Sequence, residues 1–182
     1  MRAVIVYESM YGNTHLIADA IADGMGSSNE VTVIPVSAAT RNLLHGADLV
    51  VAGGPTHVHG ISRASTRKAA MEQAGKSSGQ LVLDAGAAAD GPGLRDWFGC
   101  LGRISASGAA FDTRIAGPAI VMGQASKGIA KLLAQHGLTL IAPARSFLVS
   151  RENVLQPGEE DRAREWGREL ARRVPLGPRH RD

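Results

Sequence analysis

The residues best placed to do chemistry are Ser9-Met10-Tyr11-Gly12-Asn13-Thr14, a run of hydroxyls, a glycine and an amide. They follow the apolar stretch Ala3-Val4-Ile5-Val6-Tyr7 and precede a helical pattern with apolar residues at Leu16, Ile17, Ala20 and Ile21. A strand handing over to a helix through so short and polar a loop suits a phosphate. The first N–H groups of a helix lack intrahelical acceptors and carry the positive end of its dipole. Ser9 and Thr14 add hydroxyl donors, and Gly12 lets the backbone approach the anion closely. The loop holds no lysine, whereas a nucleoside triphosphate loop ends in Gly-Lys-Ser/Thr. A mononucleotide such as a flavin phosphate is therefore favoured over ATP. Helix capping by Ser9 or Asn13 is the plainer alternative.

The elements that must carry this loop form an alternating series. After the first strand (about 2–8) and helix (about 13–26) come a β-branched run at 31–36, a short helix around Leu43 and Leu44, and a third strand at 49–53. Apolar runs of this kind suit a parallel sheet covered on both faces. A second loop, Gly54-Pro55-Thr56-His57-Val58-His59-Gly60, leaves the third strand. Residues 63–78 read as a polar helix or a partly ordered excursion, and Leu81-Val82-Leu83 has no clear place. Pro92-Gly93-Leu94 opens a helix to about Ile104. The fourth strand, 108–111, leads into a third loop at 112–117. Ala119–Met122 reads as a short edge strand or a loop. A helix over 124–136 is ended by Gly137. Residues 138–141 and 146–149 form a last strand interrupted at Pro143, and 159–173 a closing amphipathic helix. The alternation predicts one doubly wound α/β domain over about 1–174. Ligands of such sheets sit at the carboxyl ends of the strands, where these three loops lie.

Bulk composition excludes several classes. The 182 residues are 44% apolar and 20% charged, ordinary for a single globular domain. The net charge of +3 is concentrated in Arg172, Arg173, Arg179 and Arg181 near a Pro-containing end, read as a basic tail over 175–182. No aromatic platform accompanies it, so nucleic acid is not expected as a partner. No apolar stretch approaches the roughly 20 residues of a membrane span, and no leader is evident. The single Cys100 cannot form an internal disulfide and sits among apolar neighbours, which predicts a buried thiol and a cytoplasmic setting. His57 and His59 are spaced like metal ligands, but no third ligand is evident nearby, and no metal is expected.

The first loop resembles the phosphate loop of the flavodoxin superfamily, usually Ser/Thr-x-Thr-Gly-Asn-Thr, and Gly53-Gly54-Pro55-Thr56 is similar to the start of its second flavin loop. Ala110-Phe111-Asp112-Thr113-Arg114, Ser146-Phe147-Leu148-Val149 and Leu155-Gln156-Pro157-Gly158-Glu159 resemble stretches of flavodoxin-domain proteins of actinobacteria. The likeness spans about residues 2–173. It implies a five-stranded parallel sheet of order 2-1-3-4-5, helices on both faces, and FMN as cofactor. The implied site is Ser9 to Thr14 around the phosphate, Pro55, Thr56, His57, Val58, His59 and Gly60 along the ring edge, and Phe111, Asp112, Thr113 and Arg114 near the pyrimidine edge or ribityl chain. In that family a peptide of the second loop switches partner near flavin N5 as the ring is reduced, and a glycine eases the change. Arg114 is a candidate for balancing negative charge on the reduced ring; a salt-bridged turn is the alternative. Tyr11 stands where many flavodoxins carry Thr, as in the Ser-Met-Tyr-Gly of flavodoxin-like quinone reductases. The Trp and Tyr that sandwich the ring in many flavodoxins are absent from both flanking loops. Trp97 is expected in the core.

These features lead first to an FMN-binding electron-transfer protein working between a reductase and an acceptor. An FMN enzyme reducing quinones with NAD(P)H, or one resembling protoporphyrinogen oxidase, is the second reading. A flavin-free binding domain is the third. No acid–base pair or nucleophile is visible, so no catalytic side chain is assigned.

Overall fold

The unbroken apolar runs at 3–7 and 49–52 become adjacent interior strands, which explains why they do not alternate with polar residues. The computed structural model describes residues 1–57, 60–76, 83–84 and 91–175. In chain order these form β1 (Arg2–Tyr7), α1 (Asn13–Met25), β2 (Glu30–Pro35), α2 (Arg41–Leu44), β3 (Leu49–His57), β4 (Gly60–Ile61) and α3 (Ala64–Lys76). There follow α4 (Leu94–Leu101), β5 (Ser107–Ile115), α5 (Ala119–Met122), α6 (Ala125–Gln135), β6 (Thr139–Leu140), β7 (Arg145–Val149) and α7 (Glu159–Arg173). Val58, His59, Leu81, Val82, the small-residue stretch 85–90 and the basic end 176–182 lie outside the described residues.

The parallel order is β2-β1-β3-β5, and the fifth position is filled in two pieces. β6 pairs with β5 at Ser107 and Gly108, and β7 pairs with it from Phe111 to Ile115. Pro143 lies between the pieces, where a residue without an N–H breaks the ladder. The arrangement is the doubly wound α/β sheet expected, with the interruption where the proline places it.

Each face carries its own core. On one, α1 and α7 cover the sheet with Ile17, Ile21, Trp166 and Leu170 against Ile5, Val51, Phe111 and Phe147. The two helices touch backbone to backbone: a Cβ at Gly24 would overlap the Arg164 carbonyl, and one at Gly167 the Ile21 carbonyl. On the other, α4 and α6 bring Leu94, Trp97, Phe98, Ile129 and Leu133 against Val4, Val50 and Ala110. Trp97 is core, and its Nε1 donates to the Ala39 carbonyl at 2.9 Å.

Several boundaries move. β3 does not end at 53 but runs to His57 and folds back as a hairpin, Thr56 opposite Ile61 and His57 opposite Gly60. β5 does not end at 111 but continues to Ile115, because it has ladder partners on both sides, β3 through Pro55 and β7 through Val149. The third loop therefore begins at 116, and Ala119–Met122 is a single helical turn. α4 stops at Leu101, before a positive-φ Gly102. Cys100 is exposed, not buried: the buried stripe of α4 is Leu94, Trp97, Phe98 and Leu101, and position 100 falls off it. Leu16 is likewise half exposed, since α1 presents Ile17, Ala20 and Ile21 to the sheet.

Candidate functional site

The carboxyl ends of β1, β3 and β5 lie side by side, so the sheet brings the three sequence-derived segments to one edge. At the end of β1, Gly12 adopts φ +88° as the residue before α1, and among the described residues no atom beyond its chain neighbours lies within 4 Å of where its Cβ would be. Only glycine takes this left-handed geometry freely, and the space above it is open. Among the described residues no side chain caps α1. The first helical bond runs from Leu16 N–H to the Gly12 carbonyl, leaving the N–H groups of residues 13–15 without intrahelical acceptors. Ser9 Oγ accepts the Gly12 N–H at 3.1 Å, so that donor is turned into the loop, while the hydroxyl keeps its own proton to donate. The capping alternative thus accounts for Ser9 in part but leaves the helix start open.

The neighbouring residues divide by strand periodicity, since successive side chains on a strand point to opposite faces. Thr113 points to the α1 side, and its Oγ1 lies 2.8 Å from Thr14 Oγ1, both residues buried. Asp112 points to the α6 side. There its Oδ2 accepts from Ser126 N–H at 2.7 Å and from Thr56 Oγ1 at 3.1 Å, while Thr56 Oγ1 accepts the Ala125 N–H at 2.9 Å. Asp112 and Thr56 therefore hold the start of α6. Arg114 shares that side but folds onto its own turn, Nη1 donating to the carbonyls of Ile115 and Gly117. Among the described residues it forms no salt bridge, and it cannot reach a ring without leaving those carbonyls. Phe111 is removed from the site. It is fully buried on the α1–α7 face with its ring edge against Phe147 and Trp166, and a Cβ at Gly53 would collide with it.

Around the phosphate loop, Tyr11 OH donates to the Ala70 carbonyl at 2.8 Å and Asn13 Nδ2 to the Asn153 carbonyl at 2.8 Å. These bonds tie the loop to α3 and to the turn before α7. Met10 is buried, and its carbonyl accepts the Asp84 N–H. Behind it, the Tyr7 ring stacks on His15 at 4.4 Å, and burial, reinforced by Asp84 and Asp19, pushes the Tyr7 phenol up to about 12. Burial likewise pushes the Tyr11 phenol up.

One group of functional interest carries no motif. Glu8 is buried at the end of β1 and accepts from Ser62 Oγ and, at 2.8 Å, from the first N–H of α4 at Leu94. Buried Arg67 donates to the Gly91 carbonyl at 3.0 Å and pairs with Asp96 at 3.3 Å. A Cβ on Gly93 would run into the Arg67 guanidinium and Glu8. His57 stands near these charges: burial pushes its imidazole below the usual range, Glu8 opposes and Arg67 adds to the effect. The sole sequence signal for this cluster was a charged residue at the end of an apolar strand. Among the described residues no group of His, Cys, Asp and Glu is arranged to hold a metal ion. Among them, too, no helix is long and apolar enough to cross a membrane.

The donor set at the start of α1, hydroxyls with unpaired N–H groups over an open glycine, fits a phosphate monoester such as that of FMN. Comparison with solved structures returns the same fold. A flavodoxin from the domain Archaea is 22% identical, with TM-score 0.63 over 96% of this chain and 99% of that one. Oxidised flavodoxin 1 from Bacillus cereus is 16% identical, with TM-score 0.63 over 96% and 100%. A WrbA-like flavodoxin protein from Agrobacterium tumefaciens is 21% identical, with TM-score 0.56 over 96% and 99%. No curated protein sequence matches the chain. The sequence model described as flavodoxin matches residues 5–166, nearly the whole described domain. The chain belongs to the flavodoxin family, whose cofactor is FMN.

Proposed function

We propose that this protein holds FMN with its phosphate at the start of α1 and its ring toward the β3–β4 hairpin and the turn after β5, and passes electrons to and from a partner. The observation that carries the reading is the open start of α1, its N–H groups uncapped and Gly12 leaving room for an anion. Ser9 and Thr14 hydroxyls, with Thr113 behind Thr14, would hold the phosphate. Pro55, Thr56 and His57 line the approach to the ring on the hairpin side. FMN when bound supplies the redox chemistry, one or two electrons at a time. The chain's own residues bind it, orient it and set its electrostatic surroundings. Ile120 and Val121 stand exposed on α5 beside the end of β5, an apolar edge suited to a redox protein partner.

Titration of the purified protein with FMN, followed by flavin fluorescence, tests the reading. Uptake should give a yellow protein with bands at about 370 and 450 nm. Protein that stays colourless in excess FMN ends the redox interpretation and leaves a flavodoxin-fold binding domain.

A second reading, an FMN enzyme acting on a small substrate, is favoured by one observation. A cleft of about 350 Å³ opens beside His57 on the β3–β4 hairpin, within the size range of small-molecule sites. Steady NAD(P)H consumption with a quinone, without added reductase, is its test.

A further inference from the structure

The cleft beside His57 has a neighbour. A second hollow of about 360 Å³ lies across β4, and the two share Gly60, Ile61 and Arg95 as lining. The first is lined also by Arg63 and Ser65, the second by Gln124 and Lys131. Neither lining contains a carboxylate. Among the described residues, Arg63, Arg95 and Lys131 form no ion pair, although Arg67 close by is paired with Asp96. Arg95 is held in place: its Nε donates to the carbonyls of Ile61 and Ser62, and Nη2 to that of Ile61. Among the described residues Nη1 has no partner. Three cations around one strip of strand, one of them pre-oriented and none ion-paired among the described residues, concentrate positive potential where an anion can accept charge-assisted hydrogen bonds.

We infer that the paired clefts flanking β4 bind the phosphate or carboxylate group of a small molecule, placing it beside the hairpin that borders the flavin. This rests on the FMN reading for the molecule's role and on the clefts alone for its binding. It assigns Arg63, Arg95 and Lys131 as anion contacts, with Ser65 and Gln124 as neutral donors, a set separate from the phosphate loop.

The test is calorimetric titration of the full chain, with and without FMN, using inorganic pyrophosphate in one arm and citrate in the other. At least one anion should bind and weaken with added salt. The stronger arm tells a phosphate-bearing molecule from a carboxylate. Arg63→Gln and Lys131→Gln, whose side chains are exposed, should each weaken binding about tenfold, the loss of one charge-assisted bond. Parent protein saturated with FMN, its phosphate loop then filled, should bind the anion as before. No binding of either anion, full affinity in both charge variants, or loss of anion binding on saturation with FMN overturns the assignment. FMN uptake is read separately by fluorescence. Anion binding that the charge variants weaken, without FMN uptake, supports the clefts and removes the flavin reading; FMN uptake without anion binding does the reverse.

Discussion

Two helix starts at the same edge of the sheet are treated in opposite ways. The first N–H groups of α6 are taken by protein: Ala125 donates to Thr56 Oγ1 and Ser126 to the Asp112 carboxylate. Those of α1 meet no side-chain cap among the described residues, and none of these fills the space above Gly12. A third start, at α4, follows α6, with Asp96 accepting from Gly93 N–H and Glu8 from Leu94 N–H. Every helix start needs acceptors for orphan donors. Where the chain supplies carboxylates the end is structural, and where it withholds them an anion can complete it.

The largest effect that would sharpen this contrast is on ligand binding. Replacing Ser9 and Thr14 together by Ala removes two hydrogen bonds to a charged phosphate, each worth about 1.5–3 kcal/mol. FMN affinity should fall roughly 10²- to 10⁴-fold in a fluorescence titration. Unchanged affinity would take that loop out of the site.

At α6 the loss should appear in stability instead. Asp112→Ala leaves the buried Ser126 N–H without its acceptor, which costs about 2–3 kcal/mol in denaturant unfolding without flavin. An unfolding midpoint equal to that of the parent would mean the two starts do not differ in kind.

Gly93→Ala forces a methyl against Arg67 and Glu8 and disturbs the cap of α4; overpacking of this sort costs about 1–2 kcal/mol. No loss on calorimetric melting would show that the Arg67 side chain swings clear and the cap survives.

The smallest effect is on pH dependence. His57 is held below its ordinary pKa in the folded chain, so as pH falls below about 6.5 the unfolded chain takes up the proton first. Stability contributed by neutral His57 is present above that pH and declines as the solution becomes more acidic. His57→Gln should flatten that part of the curve; an identical slope in the variant would assign it to other groups.

Much of this was legible in the residues. Strand–loop–helix order, the Ser9–Thr14 run and the break at Pro143 can be read locally, because apolar period, glycine and proline act through the backbone near them. The roles of Phe111, Asp112 and Arg114 were not legible. Three neighbours on a strand look alike in sequence, yet the pleat sends Thr113 to α1 and Asp112 and Arg114 to the other face. Cys100 was misplaced for the same kind of reason, since one step around a helix separates the buried stripe from solvent.

By itself the sequence determined that a phosphate-type loop follows the first strand of an α/β domain, since those few residues interact over short distances along the chain. The tertiary structure alone decided which strand-end residues stay available. Asp112 meets α6, Glu8 meets Ser62 and α4, and three cations converge on β4 only when segments distant in sequence are packed together. A polar group's role depends on whether folding brings it a partner, and that is a property of the assembled sheet.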